Sequence, residues 1–321
     1  MAPLRYIFEI TRILEIVPGF HHLGIHYTVY YTTLREFTFM NRLFLYIVIF
    51  LSAGCLTVSS ALAASGTCCT TPTGQFAMLA GDPSFVLSHE NPLPFEYNSP
   101  GGEWVRFKTP DDSTGRAFQI KARKETAVWI FVFQEWWGVN DYIRQEAEKL
   151  STDFDANVLA IDLYDGQVAT KAEDAQKLLQ GVKDARAKAI IEGAYGYVGP
   201  QTRVGTIGWC FGGGWSFQCA IMGAKQVKAC VMFYGMPEKD IDRLKALASP
   251  VLGIFATQDK WLTADVVKDF SANMKKAGRP LTVKRYDADH GFANPSSPKY
   301  NSGASKDAFK QAYAFLKKHL K

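Results

Sequence analysis

The chain has 321 residues, 47% hydrophobic and 21% charged, which is enough apolar material for one large buried core and unlike the composition of a disordered protein. Its formal net charge of +5 comes from lysines and arginines spread along the chain without a basic block, which argues against a nucleic-acid partner. Six cysteines form no C-x-x-C pair, so neither a zinc framework nor, in a chain of this length, a disulfide staple is expected.

Residues 1–39 hold His21, His22 and His26 and many aromatics without sustained periodicity or helix caps. They read as an upstream segment outside the fold, with Met40 as the expected start. Residues 43–63 are uncharged, follow Arg42 and end in Ala61, Leu62 and Ala63, the layout of a signal peptide cleaved after Ala63. An exported protein, periplasmic or extracellular, is therefore expected. Two other readings keep a membrane contact. The run is long enough to span a bilayer, for which about 20 residues suffice, and residues 51–55 resemble a bacterial lipobox ending at Cys55, with Ser52 where an aliphatic residue is usual.

Residues 64–102 are rich in Pro, Gly, Ser and Thr and read as an arm that carries no recognisable chemistry, leading into a single domain at 103–321. Adjacent Cys68 and Cys69 fall in this arm. Residues 103–109 and 116–122 flank a turn at 110–114 and predict an antiparallel hairpin. After it, apolar runs at 127–133, 157–163, 203–209, 227–234, 251–256 and 281–286 alternate with helical patterns at 142–150, 171–197, 264–277 and 304–320. Near-continuous apolar strands between helices predict an α/β fold with a mostly parallel, doubly wound sheet flanked by helices. In such sheets ligands sit at the carboxyl ends of the strands.

At one strand end stands Gly208-Trp209-Cys210-Phe211-Gly212, a G-x-C-x-G turn between a strand and a helix. This is the nucleophile-elbow pattern with a thiol in place of a hydroxyl. A thiol at a helix N-terminus has its thiolate stabilised by the free N–H groups there. A buried core cysteine or a phosphate-cradling loop would fit the same glycines, although neither G-x-G-x-x-G nor G-K-[ST] is present. Cys219 and Cys230 read as core. His290 follows the last strand, whereas His89 lies in the arm and His319 among lysines on a solvated helix face. Asp259 follows the strand between nucleophile and histidine, giving the order Cys, Asp, His. Asp265, Asp287 and Asp289 are rival acids in less favourable positions.

Three motifs together resemble the dienelactone hydrolase (carboxymethylenebutenolidase-like) family of the α/β-hydrolase superfamily. They are Gln134-Glu135-Trp136-Trp137-Gly138-Val139-Asn140, the elbow at 208–214, and Asp289-His290-Gly291-Phe292. The resemblance implies that Glu135 contacts the resting thiol and controls its protonation, and that the backbone N–H groups of Trp136 and Phe211 form an oxyanion hole. It implies an ester or lactone hydrolase working through a thioester intermediate. No cofactor or metal is expected, because the exported part has only three histidines and its carboxylates and thiols show no ligand spacing.

Where bacterial members carry arginines that hold a substrate carboxylate, after a Leu-Tyr pair and after the histidine loop, this chain has Asp165 and Gly166, and Asn294. A different small ester or lactone is therefore expected, with Trp136, Trp137, Trp209, Tyr234 and Phe292 as candidate pocket walls. Trp209 and Tyr234 also read as core residues. A peptidase or acyltransferase on the same fold, and a non-catalytic exported binding protein, are the competing functions. The sequence leaves the oligomeric state open.

Overall fold

The apolar runs become strands because uninterrupted Val, Ile, Leu and Phe can be buried on both faces only in a sheet covered by helices. In the computed structural model, which describes residues 71–321, β3 (Val128–Phe133), β4 (Asn157–Ile161), β5 (Arg203–Trp209), β6 (Val227–Phe233), β7 (Val251–Ala256) and β8 (Leu281–Tyr286) pair in parallel. The hairpin β1 (Gly102–Lys108) and β2 (Thr114–Ile120) pairs antiparallel, and β2 also lies antiparallel to β4. The result is an eight-stranded sheet in the order β1-β2-β4-β3-β5-β6-β7-β8. All six residues of β7 are buried, and β5 is buried from Val204 onward. At the edge, β8 exposes Thr282 and Arg285.

The expected helices form as α3 (Asp141–Phe154), α8 (Ala264–Lys276) and α9 (Ser302–Leu320), each opened by a side-chain cap from Asn140, Thr263 and Asn301 respectively. The helical pattern at 171–197 is corrected into two helices, α4 (Ala172–Gly181) and α5 (Asp184–Val198). Gly181 is a poor helix former, and Val182 and Lys183 behind it adopt extended dihedrals that turn the chain before Asp184 restarts it. The helix after the elbow is α6 (Phe211–Gly223), buried from Phe211 to Ile221, and the short α7 (Ile241–Lys245) follows β6. Phe211, Phe217, Phe233 and Phe255 are fully buried around it, each contributing roughly 1.5–3 kcal/mol.

The arm, expected to be ordered in parts, contributes to the core. It forms α1 (Pro72–Ala80) and α2 (Pro83–Leu87), and Phe76, Ala80 and Phe85 enter the core fully buried. Thr71 and Asp82 cap these helices and a proline follows each at the first helical position, where its missing N–H costs nothing. Beyond α2, the Leu93 N–H donates to Ser296 O at 3.3 Å and the Tyr97 N–H to Asp141 Oδ2 at 2.7 Å, tying the arm down to the start of β1. The upstream segment, the run at 43–63, Cys55, Cys68 and Cys69 lie outside the described residues. Among the described residues no helix is long and apolar enough to cross a membrane.

Candidate active site

β5 carries the chain to the carboxyl edge of the sheet, where Cys210 turns it into α6 with φ 53° and ψ −119°. A non-glycine residue held there costs on the order of 1–3 kcal/mol and persists only where its surroundings enforce it. They do so here by close backbone approach. A Cβ on Gly208 would lie 2.1 Å from the Gly212 carbonyl oxygen, and one on Gly212 would lie 2.2 Å from that of Gln134. The Cys210 N–H donates to Phe233 O at 3.0 Å, fixing the elbow to β6.

Loops after three strands converge on the thiol. His290 Nε2 lies 3.3 Å from Cys210 Sγ, and His290 Nδ1 lies 2.6 Å from Asp259 Oδ2. The other oxygen of Asp259 accepts the Trp261 and Leu262 N–H groups, both at 2.9 Å, so the carboxylate is aimed from the loop after β7. Among the rival acids, Asp287 is exposed and bound to Thr257 and Gln258, and Asp265 sits in the first turn of α8. Burial raises the Asp259 carboxyl, but the charge and hydrogen bond of His290 outweigh it and hold Asp259 below the usual carboxylate range. Burial would lower His290, yet Asp259 and Cys210 together hold it well above its ordinary value. Burial pushes the Cys210 thiol up, against the pull of His290.

Glu135, in the loop after β3, is buried and pushed up to about 7 by loss of solvent. Its two oxygens accept from Tyr234 Oη at 3.1 Å and from Asn294 Nδ2 at 2.5 Å. The hydrogen bond to the thiol comes from the His290 side, while Glu135 acts on Cys210 through its charge, which raises the thiol further.

Two cavities adjoin at Glu135, Trp137 and Asn294. The one at the thiol is about 10 Å³, with Cys210, His290, Ser88, His89 and Glu90 among its walls. The other is about 480 Å³, between α3 and α9, and Trp209 and Phe309 line it. Of the expected pocket walls, Trp137 and Trp209 line cavities. Tyr234, for which a core position was the alternative, and Phe292 are fully buried with their rings 5.7 Å apart, and Trp136 is likewise buried against Phe85. These positions follow strand ends, as a pocket wall would, but their side chains fill the space beneath the loops.

Sequence reasoning missed two residues. Trp261 stands edge-on to His290 with centroids 5.7 Å apart, and His89 comes from the arm to 5.4 Å from the same ring. One ligand atom from each of His89, Cys210 and His290 falls within 4.8 Å of the others. No metal was expected because spacing along the chain shows only contiguous ligand motifs, and this donor set is drawn from three distant segments. The available signal for His89 was the Asp82-Pro83 helix start, which places Phe85 and His89 one turn apart.

Comparison with known proteins identifies the family and the fold. Residues 116–320 match the sequence model of the dienelactone hydrolase family. A carboxymethylenebutenolidase of Pseudomonas sp. strain P51 is 28% identical over 220 residues, covering 64% of this chain and 90% of that protein. One from Pseudomonas putida is 28% identical over 233 residues, covering 67% and 95%. Among solved structures, a dienelactone hydrolase-like promiscuous phosphotriesterase from metagenomic libraries aligns with a TM-score of 0.60 at 19% identity, covering 68% of this chain and 99% of that one. A Pyrococcus furiosus esterase aligns with a TM-score of 0.52 at 13% identity, covering 73% and 99%. At these identities the structures show the fold alone, which is that of the α/β-hydrolases.

Proposed function

The chain belongs to the dienelactone hydrolase family, and from this premise we propose that it hydrolyses small esters or lactones with Cys210 as nucleophile, His290 as acid and base, and Asp259 orienting the imidazole. The observation that carries the reading is the continuous chain of contacts Cys210 Sγ to His290 Nε2 at 3.3 Å and His290 Nδ1 to Asp259 Oδ2 at 2.6 Å, on a strained elbow.

In this mechanism Sγ bonds to the carbonyl carbon and its proton passes to His290. The carbonyl π pair moves to oxygen, where the backbone N–H groups of Trp136 and Phe211 are the proposed donors. Collapse of the tetrahedral intermediate expels the alkoxide, which takes the proton from His290 and leaves a thioester on Cys210. Water then gives a proton to His290 and its oxygen to the acyl carbon, and the thiol leaves with that proton. Glu135 tunes the thiol by its charge.

Among the described residues no lysine or arginine lines the cavity at the thiol, while Glu90 and Glu135 do. That supports an uncharged acyl group beside the thiol, while Lys149, Lys306 and Lys310 line the larger cavity together with Glu135, Glu146 and Asp153. The 480 Å³ cavity is of a size to receive a small ester or lactone, since small-molecule pockets run from about 300 to 1,000 Å³.

The test is hydrolysis of short aryl esters and simple lactones by the wild-type chain, Cys210→Ala and Cys210→Ser. Activity lost in the alanine variant with the fold retained supports the thiol nucleophile, and equal activity in both removes it. Amides and alternative acyl acceptors in the same assay separate the peptidase and acyltransferase functions, and binding without turnover of any substrate would favour a non-catalytic protein.

Export is part of the same proposal, supported by the apolar run at 43–63 and its Ala61-Leu62-Ala63 ending. N-terminal sequencing of the native protein is expected to begin at Ala64. A native sequence that begins before Met40 overturns it.

A further inference from the structure

The donor set at the nucleophile has more capacity than acyl transfer uses. Cys210 offers a sulfur, and His290 Nε2 faces it at 3.3 Å while Nδ1 is committed to Asp259. His89 Nδ1 lies 2.7 Å from the Phe85 carbonyl oxygen and 3.1 Å from Ser88 Oγ, so Nδ1 carries the proton and Nε2 keeps a free lone pair. Both imidazoles thus have the second nitrogen anchored to an oxygen acceptor, the arrangement that fixes the tautomer and orientation of metal-binding histidines.

We propose that His89, Cys210 and His290 bind a soft or borderline divalent transition-metal ion, with zinc as the best fit, and that the bound ion silences the nucleophile. Ligands of tetrahedral zinc stand roughly 3.3–3.8 Å apart, given bonds of about 2.3 Å to sulfur and 2.0–2.1 Å to nitrogen. The Cys210 to His290 distance already meets this, and a ring nitrogen of the half-buried His89 lies within 4.8 Å of both donors, so ligation through its Nε2 calls for an adjustment of the ring on the order of 1 Å or more at the cavity wall. The cavity of about 10 Å³ beside the three has room for about one water as a fourth ligand. On binding, the S–H bond breaks, the thiol proton and any proton on His290 Nε2 pass to solvent, and the S–Zn and N–Zn bonds form with no change of oxidation state. Thiolate and imidazole donors disfavour magnesium and calcium, which take oxygen ligands. Only the inhibitory consequence rests on the proposed hydrolase function. Binding itself does not.

The test uses cobalt(II) as a spectroscopic probe on the reduced full chain. One equivalent is expected to give a thiolate-to-cobalt charge-transfer band and the intense visible bands of a four-coordinate ion, displaced by zinc and not by magnesium. Cys210→Ser is expected to abolish the charge-transfer band, and His89→Gln and His89→Ala, each checked for fold by circular dichroism, to weaken zinc binding at least about tenfold. Absence of the band, its persistence in Cys210→Ser, displacement by magnesium, or unchanged zinc affinity in a folded His89 variant overturns the site. Because the readout is spectroscopic, a chain that binds cobalt but hydrolyses nothing leaves the site standing and removes the function proposed above, and a hydrolase without the band does the reverse.

Discussion

His290 Nδ1 lies 2.6 Å from Asp259 Oδ2, and both side chains are buried at the carboxyl edge of the sheet. The short contact sets the tautomer, because a proton on Nδ1 leaves the Nε2 lone pair for the Cys210 thiol. The Trp261 and Leu262 N–H groups hold the carboxylate by its other oxygen, so the imidazole is oriented from loop backbone that cannot easily rearrange.

Asp259→Asn should therefore lower kcat/KM for ester hydrolysis by about 10³-fold or more while leaving the fold intact, since an amide can still accept from Trp261 and Leu262 but reverses the favoured tautomer of His290. Steady-state kinetics with circular dichroism checks this. A loss smaller than about tenfold would make Asp259 a structural carboxylate.

Glu135 predicts a pH dependence of stability. Its carboxyl stands at about 7 in the folded chain against an ordinary 4.5, because burial disfavours the charged form. Between those values the folded state holds a proton that the unfolded state has released, so this group costs stability as pH rises through the window. By pH 8 the full cost is on the order of 3 kcal/mol. Urea unfolding at pH 4 and pH 8 should show Glu135→Gln gaining on wild type by most of that amount at the higher pH. Parallel pH profiles would mean the carboxyl is ionised in the folded protein at little cost.

The sequence displays the sheet and the triad for one reason: both depend on patterns local to each strand. Apolar runs specify the strands, and the residue after each run is where a doubly wound sheet collects its chemistry, which is how Cys210, Asp259 and His290 are legible. Residues that act by long-range packing are not. Tyr234 and Phe292 follow strands as a pocket wall would, yet burial beneath the loops decides their place. Trp261 matters through a backbone N–H and a ring edge. The arm hides its helices because Thr71-Pro72 and Asp82-Pro83 read equally as turns, and only Phe76 and Phe85 meeting the core settles them as helix starts.

Phe85 ties the arm to the site, fully buried with its ring edge-on to Trp261 at 5.0 Å and to Trp136 at 5.6 Å. Phe85→Ala leaves a cavity among these aromatics and should cost about 3–5 kcal/mol in equilibrium unfolding. If α2 instead opens by itself, the global loss is smaller and hydrogen exchange at residues 83–89 rises sharply, so the two measurements together locate the cost. No change in either would mean that α2 does not pack on the domain in solution.

The elbow makes the sharpest prediction, because it concerns backbone that has nowhere to go. A methyl on Gly212 would sit 2.2 Å from Gln134 O and 2.3 Å from Phe133 O, so α6 must back away from the end of β3 to admit it. Those carbonyls belong to the buried centre of the sheet and to the loop that carries Glu135, and a close-packed interior transmits such a shift rather than absorbing it. Gly212→Ala should destabilise the chain by about 3 kcal/mol or more, and in any fraction that folds it should cut hydrolysis through displacement of Cys210 from His290. Gly196→Ala is the control, since a methyl there meets nothing within 4 Å and the helix α5 gains from it. Urea midpoints of the two variants are expected to move in opposite directions. Similar midpoints would mean that the close approach of α6 to β3 is looser in solution than these distances.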